Sequence, residues 1–483
     1  MTGQLDRAAF ALDRSLRQPL ADQIHATLAR LIENGTLRPG DRLPTTRDLA
    51  TALSVNRGTV QAAYRKLAQE QKISTRVGSG TVVRGPAGIP EFQLADLVSL
   101  RAAGIRQERP AMPSAPLVAD FSRLTPDERF FPLQDFTRTL AHTWSRRTDL
   151  WQYAPPLGLE ELRLEICRRL AGHGIQRTAD EVLVTSGAQQ GLDLLFRTFT
   201  DPGDVVAMES PTYPGALSIA RFAGVAIHPL PMEPDGPDAS SLSGRRIKLV
   251  YVMPERQNPT GITASAEKRA ELLDKALAAG ALVIEDGYEE PESGVPPLAS
   301  SNPDRVVWLG TLSKDLVPGF RIGWIAAPGP VIELIARVKQ TADFQTPLPL
   351  QAAIAAFLRA GADRKARRNR SLEVEMCRIS AVRAFRAHLP EVTWWGGEVG
   401  NPLFWLHLPE GVSGRSVSEA AGARGVAVAA GAEFDAAGED VPALRVCVTR
   451  VDKRQIDRGI RLLAEAVREV QSRAGITRSM PVV

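Results

Sequence analysis

At 483 residues, with 44% hydrophobic and 24% charged side chains, the chain is too long for one ordinary core and has the composition of two or three globular units. No apolar run approaches bilayer length, Met1 to Ser15 lacks the order of a secretory signal, and Cys167, Cys377 and Cys447 make no metal-type or redox-type pair, so a cytoplasmic protein with no membrane partner is expected. The net charge of +4 is unevenly placed: residues 1–85 hold eleven Arg and two Lys against seven acids, a net +6 that leaves −2 elsewhere and favours a polyanion partner for the front.

From Pro19 to Asn34 the residues Leu20, Ile24, Leu28, Leu31 and Ile32 recur at helical spacing, and Gly35 follows as a stop. After the turn Arg38-Pro39-Gly40-Asp41, Thr45 and Asp48 place a hydroxyl and a carboxylate three apart, a capping-box start for a short helix ending near Leu53. Asn56 then caps a third helix with Val60, Ala63, Tyr64 and Leu67 on one side, and two short helices joined by a tight turn form a helix-turn-helix. Ile73 to Val77 and Thr81 to Arg84 are β-prone around Gly78-Ser79-Gly80, a hairpin that would serve as a wing. Residues 13–84 are therefore expected to be an α+β winged helix-turn-helix that binds double-stranded DNA. Arg57, at the start of the third helix, suits a guanine edge or a phosphate; Thr45, Arg47 and Thr59 suit phosphates, and Asn56 and Gly80 complete the expected set. The other reading puts Arg47 and Arg57 on a solvated helix face. The order of three helices and a wing favours DNA.

This segment resembles the GntR-type winged helix in Pro19-Leu20, in Leu37-Arg38-Pro39-Gly40-Asp41-Arg42-Leu43-Pro44, in Arg47-Asp48-Leu49-Ala50, in Val55-Asn56-Arg57-Gly58-Thr59-Val60 and in Gly78-Ser79-Gly80-Thr81. It departs at Gln69-Glu70-Gln71-Lys72, where that family usually has a glycine, and a slightly altered helix end is expected there.

Residues 85–116 have linker composition, with Pro86, Pro90, Pro110, Pro113, Pro116, Gly85, Gly88 and Gly104, and Glu91 to Arg101 is a candidate helical interruption. Beyond them, over residues 117–475, helical patterns alternate with short β-branched runs at 181–185, 204–208, 247–252, 281–285, 305–309 and 323–326, which predicts a mostly parallel sheet covered on both faces. Pockets in such sheets lie at the carboxyl ends of the strands, and several motifs fall there. Ser186-Gly187-Ala188-Gln189-Gln190 opens a helix whose N–H groups suit a phosphate, Asp286 suits a ring nitrogen, Lys314 suits a Schiff base, and Ser313 and Arg321 suit a phosphate. Taken singly, Lys314 reads as a surface loop lysine, Asp286 as a helix cap, Tyr213 as a core aromatic and Gln257-Asn258-Pro259-Thr260-Gly261 as a turn. Their joint order outweighs those readings.

That order resembles the fold-type I pyridoxal phosphate (PLP) aminotransferases over most of residues 117–470. The resemblance implies an α/β fold with a smaller C-terminal α+β subdomain at about 350–475 and PLP as cofactor. Ala188, Gln189, Ser313 and Arg321 would then meet the phosphate, Tyr213 would stack on the ring, Asn258 and Tyr288 would meet its hydroxyl, Asp286 its nitrogen, and Lys314 the aldehyde carbon. It further implies that Tyr153 serves the neighbouring subunit of a homodimer, and that Arg445, on the expected strand 443–448, takes an effector carboxylate or sulfonate; an interstrand ion pair is the other reading of Arg445. The basic run Arg364-Lys365-Ala366-Arg367-Arg368-Asn369-Arg370 reads as a solvated helix face or as an accessory DNA contact.

Both halves in this order resemble the MocR subfamily of bacterial transcriptional regulators. The resemblance implies a regulator that senses a small amine, amino acid, aminosulfonate or PLP itself. A working aminotransferase with an appended DNA-binding domain and a scaffold with a dead pocket are the rival readings.

Overall fold

The computed structural model describes residues 10–76, 80–84, 98–103, 115–288, 291–314 and 316–475 and divides into two compact units, Met1–Val98 and Ser99–Val483. Much of the expected joint, residues 85–97 and 104–114, lies outside the described residues, as do Gly78 and Ser79 of the expected wing tip.

In the first unit, helix α1 (Leu20–Glu33) is followed by strand β1 (Arg42–Leu43), helices α2 (Thr46–Leu53) and α3 (Arg57–Gln69), and strands β2 (Ile73–Arg76) and β3 (Gly80–Val83). The helical spacing read from the sequence becomes the core: Ile24, Leu28, Val60, Ala63 and Leu67 are all fully buried, with Tyr64 nearly so. Asn56 caps α3 by accepting from Gly58 N at 2.8 Å. At α2 the Thr45 hydroxyl accepts from Asp48 N at 3.2 Å and donates to Asp48 Oδ2 at 2.6 Å. The expected capping box thus closes between the two side chains, because Asp lacks the extra methylene with which Glu reaches back to the cap backbone. Strands β2 and β3 pair antiparallel from Ile73 opposite Val83 to Arg76 opposite Gly80, and β1 adds to the far side of β3.

The altered end of α3 resides in Gln71, whose φ of +56° is a left-handed conformation that costs a side-chain-bearing residue roughly 1–2 kcal/mol. Gln71→Gly removes that cost but adds unfolded-state freedom worth about 0.4–1 kcal/mol. A net gain on the order of 0.5 kcal/mol is expected, read as a higher denaturation midpoint of the first unit's transition with an unchanged slope.

The second unit begins with α4 (Leu100–Ala103), β4 (Ala119–Asp120), α5 (Leu133–Arg146) and α6 (Glu160–Ala171). The alternating run then follows as β5 (Val182–Thr185), α7 (Ala188–Phe199), β6 (Val205–Ser210), α8 (Pro214–Ala223), β7 (Ala226–Glu233), β8 (Gly236–Pro237), β9 (Leu249–Val252), α9 (Ala266–Ala278), β10 (Leu282–Gly287), α10 (Leu298–Ser301), β11 (Val306–Thr311) and β12 (Gly323–Ala326). These strands make one eight-stranded sheet in the order β5-β12-β11-β10-β9-β6-β7-β8, parallel through its centre, with β12 antiparallel to both neighbours. Alternate residues serve two cores, one on each face. Val184, Val250, Val252, Val283 and Val306 enter one, and Leu183, Leu249, Tyr251, Ile284 and Val307 the other, which is why these strands read as continuous apolar runs.

Helices α11 (Gly329–Ala342) and α12 (Leu348–Arg359) lead to a third core built from α13 (Arg364–His388), β13 (Thr393–Gly396), β14 (Leu403–His407), α14 (Gly414–Gly422), β15 (Val426–Ala427), β16 (Ala429–Ala430), β17 (Ala443–Cys447) and α15 (Lys453–Arg473). β13, β14, β17 and β16 form an antiparallel sheet, and α15 buries Ile456, Ile460, Leu463 and Val467 along one stripe. Residue 350, the sequence-derived start of the small subdomain, falls inside α12, which packs on α5 and α6 of the larger core. β15 pairs parallel with β4, so that Ala119 and Phe121 lie in the small core although they precede the large sheet in the chain.

Candidate cofactor pocket and DNA-reading face

Parallel strands deliver their last residues to one edge of the sheet, and the site is built from the loops that follow them. β5 turns through Ser186 and Gly187 into α7. Gly187 has φ +85°, and a Cβ there would stand 2.6 Å from the Arg321 guanidinium, so only glycine lets this arginine close over the start of α7. The Arg321 guanidinium donates to Ser186 O at 3.2 Å, beside the first N–H groups of a 12-residue helix, which have no partner within the helix.

A cavity of about 230 Å³ brings together Ala188, Gln189, Tyr213, Asn258, Asp286, Tyr288, Ser313, Lys314 and Arg321, nine residues read from the sequence as one site. The Tyr213 hydroxyl donates to Gln189 Oε1 at 3.1 Å, which fixes the aromatic wall. Tyr288 donates to the backbone carbonyl of Arg256, and Lys314 Nζ donates to that of Leu124. Two residues lie apart from the cavity wall. Tyr153 is 86% exposed and packs only loosely on Phe344, 6.1 Å between ring centres. Arg445 is buried just behind Asn258, donating to its Oδ1 at 2.9 Å and to the carbonyl of Ser122, with the Phe434 ring 4.9 Å away. The interstrand ion pair considered for Arg445 is absent among the described residues.

Asp286 is the electrostatic centre. Its Oδ2 accepts from the Tyr251 hydroxyl at 2.7 Å, while Oδ1 is buried without a hydrogen-bond partner. Burial pushes its carboxyl up to about 6, against the pull of the Tyr251 hydrogen bond and the Lys314 charge. A buried carboxylate oxygen with no donor costs about 1–3 kcal/mol or more, so it calls for a cationic N–H to be supplied from the cavity.

Sequence reading missed the groups that hold this set in place. Tyr251 looked like one more β9 core residue, but a phenol inside a buried strand needs a partner for its hydroxyl, and that was the available signal. Glu209, at the end of β6, is pushed up to about 8 by burial and accepts from Met253 N at 3.0 Å and Gln257 Nε2 at 3.1 Å. Gln257 in turn accepts from Thr260 N at 2.9 Å, so this buried pair pins the loop that carries Asn258. Leu124 and Thr125 also line the cavity, contributed from far upstream in the chain.

In the first unit, Arg57 Nε lies 3.4 Å from Thr46 Oγ1, which sets the starts of α2 and α3 side by side. Thr45, Arg47, Asn56, Arg57 and Gly80 are exposed and Thr59 is half-buried. The Thr45 hydroxyl and the Asn56 carbonyl are engaged in their helix caps, which leaves Arg47 and Arg57 as the cations offered to solvent there.

Comparison with known proteins places these two sites in context. The model of aminotransferase class I and II matches residues 120–463, and that of bacterial regulatory proteins of the gntR family matches residues 20–83. The chain is 33% identical to the HTH-type transcriptional regulator YdcR of Escherichia coli, across 86% of this chain and 91% of that protein. It is 32% identical to the probable rhizopine catabolism regulatory protein MocR of Rhizobium meliloti, across 73% and 74% of the two chains. Among solved structures, a kynurenine aminotransferase of Pyrococcus horikoshii in complex with PMP superposes with a TM-score of 0.69 at 29% identity, covering 74% of this chain and 92% of that one.

Proposed function

Because the chain belongs to the class I and II aminotransferase family and, with its gntR-type front, to the MocR-type regulators, we propose that it is a transcriptional regulator whose PLP-binding unit senses a small amine or amino acid and sets the affinity of the winged helix for operator DNA. The observation that supports the cofactor is the orphaned Oδ1 of Asp286, a residue that lines the cavity together with Lys314 and the first residues of α7. Asp286 would hold a protonated pyridine nitrogen, Tyr213 would stack on the ring, and Asn258 and Tyr288 would meet its hydroxyl. Arg321, Ser313 and the first N–H groups of α7 would hold the phosphate. Bound there, PLP would supply an aldehyde carbon reactive toward amines, and Lys314 would be this chain's own amine facing it.

Arg445 would take the carboxylate or sulfonate of the effector. Its planar fork already faces Asn258, and burial lowers its basicity only from a very high starting value, so it stays charged. We take the protein to act in the cytoplasm, where operator DNA is, and as a homodimer in which Tyr153 reaches the partner's cofactor phosphate; its exposed ring supports that reading.

The test is a titration of the holo-protein with amino acids, taurine and simple amines, followed by visible absorbance and by operator binding. One ligand class is expected to shift the absorbance and, at the same half-saturation, to change DNA affinity about tenfold, a coupling of roughly 1.4 kcal/mol. Turnover of amino and keto acids at ordinary enzyme rates, with no ligand moving DNA affinity, would instead make this an aminotransferase with an attached DNA-binding unit.

A further inference from the structure

One lysine among the described residues is buried, and it does not line the cofactor pocket. Lys339, near the end of α11, has no exposed surface, and its Nζ donates to both carboxylate oxygens of Asp343, at 2.6 and 2.8 Å. Burial pulls its pKa below the usual lysine value, against the Asp343 carboxylate, which raises it. A buried ion pair is a poor source of stability, since an apolar pair of the same volume often serves as well or better. Its presence here directs attention to what the carboxylate holds.

Asp343 Oδ2 also accepts from Gln190 Nε2 at 2.6 Å, and Gln190 Oε1 accepts from Ser186 N at 2.7 Å. The Ser186 carbonyl in turn receives Arg321, so both backbone polar groups of the residue that opens the turn are held by side chains. The polarity of this chain of bonds runs one way. An ionised carboxylate only accepts, so Gln190 must turn its N–H groups toward Asp343 and its oxygen toward Ser186. Turned over, the amide would set an N–H against the Ser186 N–H and a carbonyl against a carboxylate. Asp343 is fixed from its other side as well: Phe344 follows at φ +62°, Gln345 accepts from Ala154 N, and the Thr346 hydroxyl donates to Val184 O at 3.4 Å, on β5 just before the turn. Backbone strain of the kind at Phe344 persists only where the surroundings over-determine it.

We propose that Lys339 and Asp343 are positioning residues for the cofactor phosphate, acting through Gln190 to set the Ser186-Gly187 turn and with it the first N–H groups of α7. The inference rests on the reading of that turn as the phosphate's hold. Ala188 and Gln189 line the cavity, whereas Gln190, Lys339 and Asp343 do not. Their effect should therefore fall on the phosphate and not on the ring or the aldehyde carbon, which are assigned to Tyr213, Asp286 and Lys314 on other strands and loops.

The experiment titrates the full-length protein, freed of cofactor, with PLP and with 5-deoxypyridoxal, which has the same ring and aldehyde but no phosphate, and reads the concentration that gives half of the visible band. Wild type is expected to prefer PLP by about tenfold or more, the yield of charge-assisted bonds to the phosphate. In Gln190→Leu the PLP value should rise about tenfold while the 5-deoxypyridoxal value stays within about twofold. Lys339→Met/Asp343→Leu should do the same, and because it leaves no charge buried alone its fold should hold, which the thermal midpoint checks. Lys339→Met by itself leaves Gln190 its acceptor but frees Asp343, and should raise the PLP value about threefold. Equal rises for the two aldehydes in Gln190→Leu and in the double variant mark a merely structural role and overturn the proposal, as does an unchanged PLP value in either. An unchanged PLP value in Lys339→Met overturns the lysine's part. A wild type that binds both aldehydes equally overturns the phosphate cradle and this inference, and leaves the cofactor reading standing. A wild type with no band for either overturns the cofactor reading and this one with it.

Discussion

Lys314→Ala is expected to abolish the visible absorbance and the effector response while operator binding without effector stays within about twofold of wild type. Lys314 is the one lysine among the described residues lining the cavity, so it alone there can bond covalently to an aldehyde. The other holds remain: the Arg321 cradle, the Tyr213 wall and the Asp286 carboxylate do not depend on it. PLP should therefore still enter, with retention on dialysis weakened on the order of 100-fold, about 2.7 kcal/mol. Because the side chain is only half-buried, the fold should tolerate the change, which thermal unfolding would check. A variant that still answers amines by changing its DNA affinity would sink the sensor mechanism, whatever its colour.

The second large effect belongs to Arg57→Ala. Arg57 is exposed at the first position of α3, and its contact with Thr46 is long, so the stability cost should stay within about 0.5 kcal/mol. If the guanidinium reads a guanine edge, operator affinity falls by roughly 1–3 kcal/mol, about 5- to 150-fold, and discrimination relaxes at one base pair. If it meets a phosphate, binding weakens alike on all sequences and the salt dependence loses about one ion. Arg57→Lys separates the two, since a lysine replaces a phosphate contact far better than a bidentate base contact. Unchanged affinity for operator and random DNA alike would leave Arg57 as the plain solvated residue considered at the outset.

Much of this was legible because the controlling physics is local. A period of 3.6 placed Val60, Ala63, Tyr64 and Leu67 in the core of the first unit, and short β-branched runs marked β5, β9, β10 and β11. The pocket residues were legible for two other reasons: Asp286, Ser313 and Lys314 fall at or just past strand ends, where such a fold puts its chemistry, and the resemblance to the fold-type I enzymes supplied the roles of Tyr213, Asn258 and Tyr288. What stayed hidden depends on distance along the chain. Nothing near Tyr251 announces that it faces Asp286; that follows from the parallel register that sets Tyr251 beside Ile284. The pairing of β15 with β4 joins residues some three hundred apart, and no periodicity within either strand encodes its partner. The basic run at 364–370 looked uniform in sequence, yet Arg367, Arg368 and Arg370 line a cavity while Lys365 and Asn369 do not.

The segment from Ala119 to Leu124 ties these observations together. At its upstream end it is stitched into the small core through β15, with Phe121 N donating to Ala427 O at 2.8 Å and Cys447 N donating to Phe121 O at 2.9 Å. Further along, the Ser122 carbonyl receives Arg445 and the Leu124 carbonyl receives Lys314. The two cations assigned to ligand capture are thus moored to one short strap, and a ligand that draws either of them away must slacken it. In the chain this strap follows closely on residues 85–116, so both cations are held by carbonyls from the early part of the second unit and not by the large sheet.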